Sequence, residues 1–387
     1  MTKYDFTTLP NRLNQDSVKW KSNGENPDLL QLWIADMDFL PQPDIKNAIV
    51  EYANSHVFGY SYPSDDLFQS IINWEKSVHD YEVEKEHITL IEGVVPAISI
   101  AIQAYTKEND AVIINTPAYP PFARTIKLNN RKLVENSLVK KENKFEIDFE
   151  KLEEQIRDNE VKLYILCSPH NPTGRVWTRE ELEKIVALCK KYNVLLVSDE
   201  IHQDLTIFGN KHLTFNLVDP SFNDRTIVLA SATKTFNIAG TKNSFVIIEN
   251  KELREAFKKV QLANNHHEIP QIGLVATKAA LEHGKEWLDE LRVVIEENTN
   301  YVIDYLEKNT DIVVNRNEAT YLLWLDFSKY DLSHSEIQKK ILEEAKLVLN
   351  DGLFFGRDGK KYARLNVATP LEVVKEACDR LAKAFAK

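Results

Sequence analysis

Short apolar runs alternate along the chain with stretches in which apolar residues recur every three or four positions. The apolar runs cover residues 111–115, 163–167, 194–197, 226–229 and 245–248. Runs of this length that are rich in Val, Ile and Leu are typical of strands buried on both faces of a parallel sheet. Helical spacing is clearest between residues 67 and 81. The alternation from about residue 88 to 248 therefore predicts βαβ units and an α/β fold, with a mostly parallel sheet flanked by helices.

Polar residues ahead of the helical stretches predict where several helices begin. Thr178 followed by Glu181 has the spacing of a capping box, and Asp44 can cap the helical stretch that follows it. We also expect a capped helix from Thr369-Pro370, with Glu372 at its third position. A long helical pattern covers residues 286–308, and the mixture of strand and helix patterns after it predicts a small α+β domain.

The chain is long enough for more than one folding unit. It has 387 residues, and cores of ordinary size stop growing at about 250–300 residues. Residues 1–31 are polar and rich in turn formers, with one turn expected at Asn23-Gly24. We predict an N-terminal arm and part of the small domain over residues 1–45, a large domain over 46–285 and a small C-terminal domain over 286–387.

Composition and charge exclude several classes of partner. The formal net charge of −11 argues against a nucleic-acid backbone as the main partner. Apolar runs fall short of the roughly 20 residues that a membrane-spanning helix needs, and the sequence has neither a Walker A motif nor GxGxxG. Its three cysteines are scattered, without a CxxC pair, which fits a reducing cytosol. We therefore expect a cytoplasmic protein with no nucleic-acid partner, no membrane partner and no metal site.

Three segments that follow apolar runs carry candidate chemistry. In the segment 231–242, small and hydroxyl side chains surround Lys234. A lysine so placed can form a Schiff base with a carbonyl compound, and hydroxyls such as those of Ser231 and Thr233 can hold a phosphate. On its own, this segment also fits an ordinary solvated loop. The other two segments, 168–175 and 197–202, contain Asn171 and Asp199.

The order of these three segments resembles the fold-type I enzymes that use pyridoxal 5′-phosphate (PLP), in the class I/II aminotransferase family. The resemblance covers nearly the whole chain and implies that the large domain, 46–285, binds PLP. Four further segments are similar to the PatB/MalY branch, the cystathionine β-lyase-like carbon–sulfur lyases. These segments are Trp33-Ile34-Ala35-Asp36-Met37-Asp38-Phe39, Val57-Phe58-Gly59-Tyr60, Gly93-Val94-Val95-Pro96 and Asp199-Glu200-Ile201-His202.

The resemblance implies a role for each candidate cofactor residue. Lys234 would bind PLP covalently, Asp199 would hold the pyridine nitrogen protonated, and Asn171 would donate to the 3′-oxygen. Tyr119 would stack on the ring, and Tyr60 would reach the phosphate bound by a neighbouring subunit, which requires a homodimer with shared active sites. The remaining phosphate contacts would come from Gly93, Val94, Val95, Ser231, Thr233 and Lys242. His202 stands where the wider family usually has a tyrosine, and the sequence leaves open whether it contacts the cofactor or orients Asp199.

The resemblance also assigns the substrate side. Arg364, in the context Arg-Leu-Asn-x-Ala, would grip the carboxylate of an α-amino acid, because guanidinium and carboxylate match as a two-pronged pair. Ala35, Tyr119 and Asn171 would border the same substrate. Each residue also has a plain structural reading, such as packing for Tyr60, a loop anchor for Tyr119 and a surface ion pair for Arg364. Asp199, Glu200 and His202 fit a metal poorly, because neighbouring residues on a strand point to opposite faces.

The motifs for binding PLP are common to more than one reaction. We expect a PLP-dependent carbon–sulfur β-lyase that cleaves L-cystathionine, or a related cysteine S-conjugate, to a thiol, pyruvate and ammonia. The first alternative is a PLP-dependent aminotransferase of α-amino acids. The second is of another class, a protein-binding regulator of the same branch.

Overall fold

A computed structural model describes residues 3–13, 15–21 and 26–387. The turn expected at Asn23-Gly24 lies outside them. In the described chain the α-helices are α1 Pro43–Ser55, α2 Asp65–His79, α3 Val94–Tyr105, α4 Pro120–Leu128, α5 Phe149–Asp158, α6 Arg179–Tyr192, α7 Ala232–Thr235, α8 Lys251–Ala263, α9 Gln271–His283, α10 Lys285–Asn309, α11 His334–Lys339 and α12 Leu371–Ala384. The strands are β1 Leu30–Gln31, β2 Ile88–Ile91, β3 Ala111–Thr116, β4 Lys132–Ser137, β5 Val139–Lys141, β6 Lys144–Glu146, β7 Leu163–Cys167, β8 Leu195–Asp199, β9 Thr226–Ala230, β10 Ser244–Ile247, β11 Val313–Val314, β12 Leu322–Asp326, β13 Leu347–Val348, β14 Asn350–Asp351 and β15 Tyr362–Asn366.

A seven-stranded sheet forms the centre of the larger part of the molecule. Its strand order is β2-β10-β9-β8-β7-β3-β4. The five strands from β9 to β4 run parallel, and β10 is antiparallel to both of its neighbours. Because β10 opposes both β2 and β9, the carboxyl ends of β2, β3, β7, β8 and β9 all lie at one edge of the sheet. The predicted α/β class with a mostly parallel sheet is confirmed.

Both faces of this sheet are covered, which explains its continuous apolar strands. Ile113 and Tyr164 pack on one face in a cluster that includes side chains of α5 and α6. Their neighbours Ile114 and Ile165 pack on the other face, with side chains of α3, α4 and α8. Successive strand residues point to opposite faces, so a strand with helices on both sides needs apolar residues at every position.

A second sheet forms near the C-terminus, with all of its pairs antiparallel. Its order is β11-β12-β15-β14, and α10 packs against α12 beside it. The N-terminal segment joins this part of the molecule, because β1 pairs in parallel with β13, Leu30 opposite Leu347. The expected small α+β unit is therefore present, while the boundaries at residues 45 and 285 stay a prediction.

The structure confirms one of the three predicted helix caps and contradicts the other two. At α6, Thr178 and Glu181 form the predicted capping box. At α1 the prediction is wrong, because the Gln42 side chain caps the helix and accepts from Ile45 N. The box expected at Thr369 is also wrong: α12 begins at Leu371 after Pro370, and the buried Thr369 hydroxyl has no hydrogen-bond partner among the described residues.

Across the described ranges, none of the helices is both long enough and apolar enough to cross a membrane.

Candidate active site

The predicted site residues follow strands that end at the same edge of the large sheet. Gly93 follows β2, Tyr119 follows β3, Asn171 follows β7, Asp199 ends β8 and Lys234 follows β9. The segment before β10 returns to this edge as well, since Ser244 pairs with Ile91 at the end of β2. Ligands of open α/β sheets bind beyond the carboxyl ends of the strands. The topology therefore gathers these residues at the edge where a ligand is expected.

Lys234 lies in the short helix α7 and is partly shielded from solvent. Its Nζ donates a hydrogen bond to the Ala35 carbonyl at 2.6 Å. Burial, with the positive charge of Arg364 as a further cause, lowers the pKa of Lys234 to about 8. A lowered pKa leaves a larger fraction of the amine neutral near pH 7, and the neutral amine is the form that attacks a carbonyl or accepts a proton.

Arg364 is a buried guanidinium whose hydrogen-bond partners in the described chain are all neutral. Nη1 donates to Asn171 Oδ1 at 2.9 Å. Nη2 donates to the Trp33 carbonyl at 3.1 Å and to Asn350 Oδ1 at 2.6 Å. The guanidinium carbon lies 4.8 Å from the centre of the Phe355 ring, and burial lowers the pKa of Arg364 to about 10. A buried cation without an acidic partner is unfavourable by itself and is well suited to an anionic ligand.

Nε of the same side chain is buried and has no hydrogen-bond partner among the described residues. A donor left in that state costs free energy unless a ligand or water satisfies it. Arg364 thus has a charge without an acidic partner and an N–H group without an acceptor among the described residues. The surface ion pair that a plain reading of the sequence also allowed is excluded, because the residue is only 4% exposed.

Burial shifts the pKa values of Asp199 and His202, and in both residues it favours the neutral form. Burial raises the pKa of Asp199 to about 7, so its carboxylate would gain from a cationic partner. Ile201 N donates to Asp199 Oδ1 at 3.2 Å. Burial lowers the pKa of His202 to about 3, with the charges of Lys234 and Arg364 as further causes. His202 is therefore a neutral imidazole, and its buried Nδ1 has no partner within the described ranges.

The neighbouring carboxylate, Glu200, points away from this group. It accepts from Ser198 Oγ at 2.7 Å and lies 2.7 Å from His212 Nε2. A shared metal between Asp199 and Glu200 is therefore not supported. Among the described residues, three potential ligand atoms come within 4.8 Å of one another at Glu84, Glu86 and His87, where both carboxylates are exposed.

Donors suited to an anion gather beside Lys234. Helix α3 begins after Gly93, which has no side chain to cap the first N–H groups of Val94 and Val95. Ser231 Oγ lies 2.8 Å from Thr233 Oγ1 and accepts from Thr233 N at 3.2 Å. Lys242 is exposed just before β10. Free N–H groups at a helix start, hydroxyls and a cation together suit a phosphate.

The segment from Trp33 to Phe39 contacts both Lys234 and Arg364. Its carbonyls accept from Lys234 and Arg364, as described above, and the Ala35 carbonyl also accepts from Tyr321 Oη at 3.2 Å. Asn366 Nδ2 donates to the Ile34 and Asp36 carbonyls, both at 2.7 Å. Ala35 thus lies in contact with Lys234, beside the residues predicted to meet the substrate.

Two aromatic residues occupy very different environments. Tyr119 is half-buried at the start of α4, and burial raises the pKa of its hydroxyl, with the nearby charge of Asp199 as a further cause. Tyr60 is fully exposed in the segment between α1 and α2. The structure therefore brings Tyr119 to the site, whereas the Tyr60 side chain is exposed to solvent in the single chain.

Several residues at this site were missed by the sequence reasoning. Asn350 and Phe355 contact the Arg364 guanidinium, and Tyr321 and Asn366 hold the segment that carries Ala35. The contacts of Tyr321 and Asn366 with that segment join positions 286 and 332 residues apart, which local patterns do not reveal. For Asn366 a signal existed, since it lies two residues after Arg364 on β15.

The residues present fit PLP on their own chemistry. Lys234 offers an amine of lowered pKa, Asp199 a buried carboxylate in need of a cationic partner, and Arg364 an unpaired buried cation. The uncapped start of α3 and the hydroxyls of Ser231 and Thr233 suit the phosphate.

Comparisons with known proteins agree with this geometry. The family model described as aminotransferase class I and II matches residues 27–381. Cystathionine beta-lyase PatB from Bacillus subtilis is 37% identical over 98% of this chain and 100% of its own length. Protein MalY from Escherichia coli is 31% identical over 95% of each chain. The crystal structure of cystalysin from Treponema denticola, which contains a pyridoxal 5′-phosphate cofactor, superimposes with a TM-score of 0.95 at 36% identity and covers 98% of each chain. The chain therefore belongs to the aminotransferase class I and II family.

Proposed function

We propose that this protein is a PLP-dependent carbon–sulfur β-lyase that acts on L-cystathionine or a related cysteine S-conjugate. The net reaction consumes one water and releases a thiol (homocysteine from cystathionine), pyruvate and ammonia. The observation that carries the proposal is that two cations shielded from solvent, Lys234 and Arg364, donate to carbonyls of the same short segment, those of Ala35 and Trp33. One is a candidate base and the other a carboxylate receptor. The similarity to cystathionine beta-lyase PatB supports the choice of reaction.

Arg364 would bind the α-carboxylate of the substrate. Its neutral partners, Asn171 and Asn350, orient the guanidinium without neutralising its charge. A bidentate pair with a carboxylate fixes the amino acid in one orientation. The Cα hydrogen can then be directed at Lys234, whose lowered pKa suits a general base.

PLP, when bound, supplies an electron-withdrawing ring that takes up the negative charge left at Cα after the proton is removed. Asp199 would hold the ring nitrogen, Tyr119 would cover the ring, and Asn171 would meet the 3′-oxygen. Gly93, Val94, Val95, Ser231, Thr233 and Lys242 would hold the phosphate. After Lys234 has removed the Cα proton, sulfur would leave Cβ as a thiolate and take up a proton to give the thiol. Hydrolysis of the remaining three-carbon product by one water would then give pyruvate and ammonia.

A homodimer with shared active sites is part of the proposal. Val57 is 89%, Phe58 71% and Tyr60 102% exposed in the single chain. An apolar segment of this kind is typical of a surface that another chain covers. We propose that Tyr60 reaches the phosphate site of the partner subunit. We also propose a cytoplasmic location, since the three cysteines are free and buried.

Two alternatives share the same residues. An aminotransferase would use Lys234 and Arg364 in the same way and return the proton to the cofactor instead of expelling sulfur. A protein-binding regulator of the same branch would not need Arg364 to keep an unpaired charge, which favours an enzyme. A pull-down with Lys234→Ala protein that recovers a specific partner would support the regulator.

One paired assay separates the reactions. Purified, PLP-loaded protein is mixed with L-cystathionine, and pyruvate and free thiol are followed together, with and without a 2-oxo acid. The lyase gives equal amounts of pyruvate and thiol without the 2-oxo acid. Turnover that depends on the 2-oxo acid and releases no thiol would establish the aminotransferase instead. Lys234→Ala protein is the control, and it should lose both the visible absorbance of the lysine-bound cofactor and the turnover.

A further inference from the structure

A buried polar network lies under the candidate site, and the chemistry described above does not use it. Its centre is Asp204, which is 2% exposed. One carboxylate oxygen, Oδ1, accepts from Trp74 Nε1 at 3.0 Å and pairs with His79 Nε2 at 2.8 Å. The other, Oδ2, accepts from Thr235 Oγ1 at 2.7 Å. Thr235 directly follows Lys234 in α7, so Asp204 holds the residue next to the candidate base.

The same network reaches the other side of the site. Glu200, directly after Asp199, is completely buried and pairs with His212. The His212 ring makes an edge contact with the His79 ring at 5.9 Å between centres. The two carboxylate–histidine pairs are thus joined. The chain neighbours of both Lys234 and Asp199 are fixed in one buried unit.

The charges in this unit favour a rigid ion pair at Asp204. Burial alone would lower the pKa of His79, but the hydrogen bond with Asp204 and the charges of Glu75 and Asp204 outweigh it, so the pKa of His79 is raised. Burial would raise the pKa of Asp204, but the contact with His79 outweighs it and lowers that pKa. Both shifts favour a cationic histidine beside an anionic carboxylate.

Other groups face the pair from every side. On α2, Glu75 precedes His79 by one helical turn, and burial raises its pKa to about 7. Gln203 donates to Glu75 at 2.8 Å. From α10, Arg292 Nε donates to the Asp204 carbonyl at 2.8 Å. The carboxylate of Asp204 is therefore held in one rotamer by neighbours on α2 and α7, and its backbone by a neighbour on α10.

We propose that Asp204, oriented by His79 and Trp74, is a positioning residue for Lys234: through its hydrogen bond to Thr235 it fixes the turn of backbone from which the lysine side chain extends. None of the three touches the reacting atoms. Their effect on the reaction is transmitted through the placement of the Lys234 amine. A displacement of about 1 Å in a catalytic group can cost on the order of 100-fold in rate.

The test is the Thr235→Val variant, which keeps the shape of the side chain and removes the hydroxyl that donates to Asp204. Thr235→Ser keeps the hydroxyl and is the rescue variant. Thr226→Val is the matched control, because Thr226 is also fully buried and also loses one hydrogen bond, to the Phe222 carbonyl at 3.1 Å, but it begins β9 at the opposite edge of the sheet.

Two readouts are taken on PLP-loaded protein. The first is the pH midpoint of the visible absorbance of the lysine-bound cofactor, and the second is the split between kcat and KM. We expect Thr235→Val to shift the midpoint by at least half a pH unit and to lower kcat at least tenfold, with KM changed less than threefold. Thr235→Ser and Thr226→Val should match the parent protein in both readouts.

The inference rests on the proposed role of Lys234 but not on the reaction that follows, and the outcomes separate the two. Parent protein without any lysine-bound cofactor absorbance would overturn the proposed function. A folded Thr235→Val protein with an unchanged midpoint and unchanged kcat would overturn the positioning role alone. If Thr235→Val fails to fold, Asp204→Asn, which keeps the shape of the side chain and removes its charge, is measured in the same way against the same criteria.

Discussion

Replacing Asn350 by Asp would place a carboxylate inside the carboxylate receptor that we propose at Arg364. Asn350 is 8% exposed, and its Oδ1 accepts from Arg364 Nη2 at 2.6 Å. The substitution keeps that acceptor and nearly the same shape. It adds one negative charge to a guanidinium whose other partners, Asn171 and the Trp33 carbonyl, are neutral. The unpaired charge of Arg364 would then be neutralised from within the protein.

The expected size of the effect follows from the spacing of the two anions. A substrate carboxylate and the new carboxylate would share one guanidinium at roughly 5 Å from each other, which at an effective dielectric constant of about 20 gives a repulsion of about 3 kcal/mol. That energy corresponds to about a 100-fold rise in KM. Saturated enzyme should keep most of its kcat, because Lys234 and the cofactor contacts are untouched.

The assay is initial-rate kinetics with L-cystathionine on PLP-loaded parent and Asn350→Asp proteins. Asn73→Asp is the control, since Asn73 lies exposed on α2 and its Oδ1 likewise accepts one side-chain hydrogen bond, from Gln69 at 2.8 Å. Binding of an amine that lacks the carboxylate should not weaken in Asn350→Asp. A KM within threefold of the parent value would refute the view that Arg364 holds its charge free for the substrate.

Three further predictions address the cofactor and the receptor. The raised pKa of Asp199 favours the folded state below the unfolded pKa, near 4, and this advantage is lost as pH rises through about 7. Urea unfolding of cofactor-free protein should therefore show that the stability of Asp199→Asn relative to the parent rises between pH 5 and pH 8, by about 3 kcal/mol at most; parallel pH dependences of the two proteins would contradict this. Tyr60→Phe should weaken PLP retention on dialysis, and unaltered retention would count against a contact across subunits. Phe355→Leu removes the aromatic face beside Arg364, worth about 1–2 kcal/mol, so KM should rise roughly 5- to 30-fold with kcat preserved; a fall in kcat alone would be inconsistent with a role in binding the carboxylate.

The apolar runs predicted the central sheet well, because a strand covered on both faces has to be apolar at every position. Each of the five runs overlaps a strand of the sheet, with ends that differ by at most two residues. The capping box at Thr178 was equally readable, since both of its partners lie within four residues. The cap of α1 was not predictable in this way, because Gln42 is a rare capping residue and Asp44 is a common one.

At the site, too, features set by neighbouring residues in the chain could be predicted, whereas contacts between separate segments could not. The segments around Lys234, Asn171 and Asp199 were found because each follows an apolar strand. The neutrality of the Arg364 environment was not predictable, because it depends on Asn350 and on the Trp33 carbonyl, which approach from two different segments. The buried network at Asp204 was missed for the same reason, since its members come from α2, α7 and the loop after β8.

The pairing of the strands also limits how early in its synthesis the protein can form the complete site. Strand β2 pairs with β10, and β1 pairs with β13. Two of the strands that are synthesised first therefore pair with strands that are synthesised much later. Ala35 and Arg364 can meet at the site only after residue 364 has been synthesised. A polypeptide that ends after β9 contains the sequences of the parallel strands β3, β7, β8 and β9 but lacks Arg364. A product that ends before residue 364 would therefore lack the carboxylate receptor that we propose, and we expect it not to bind the substrate.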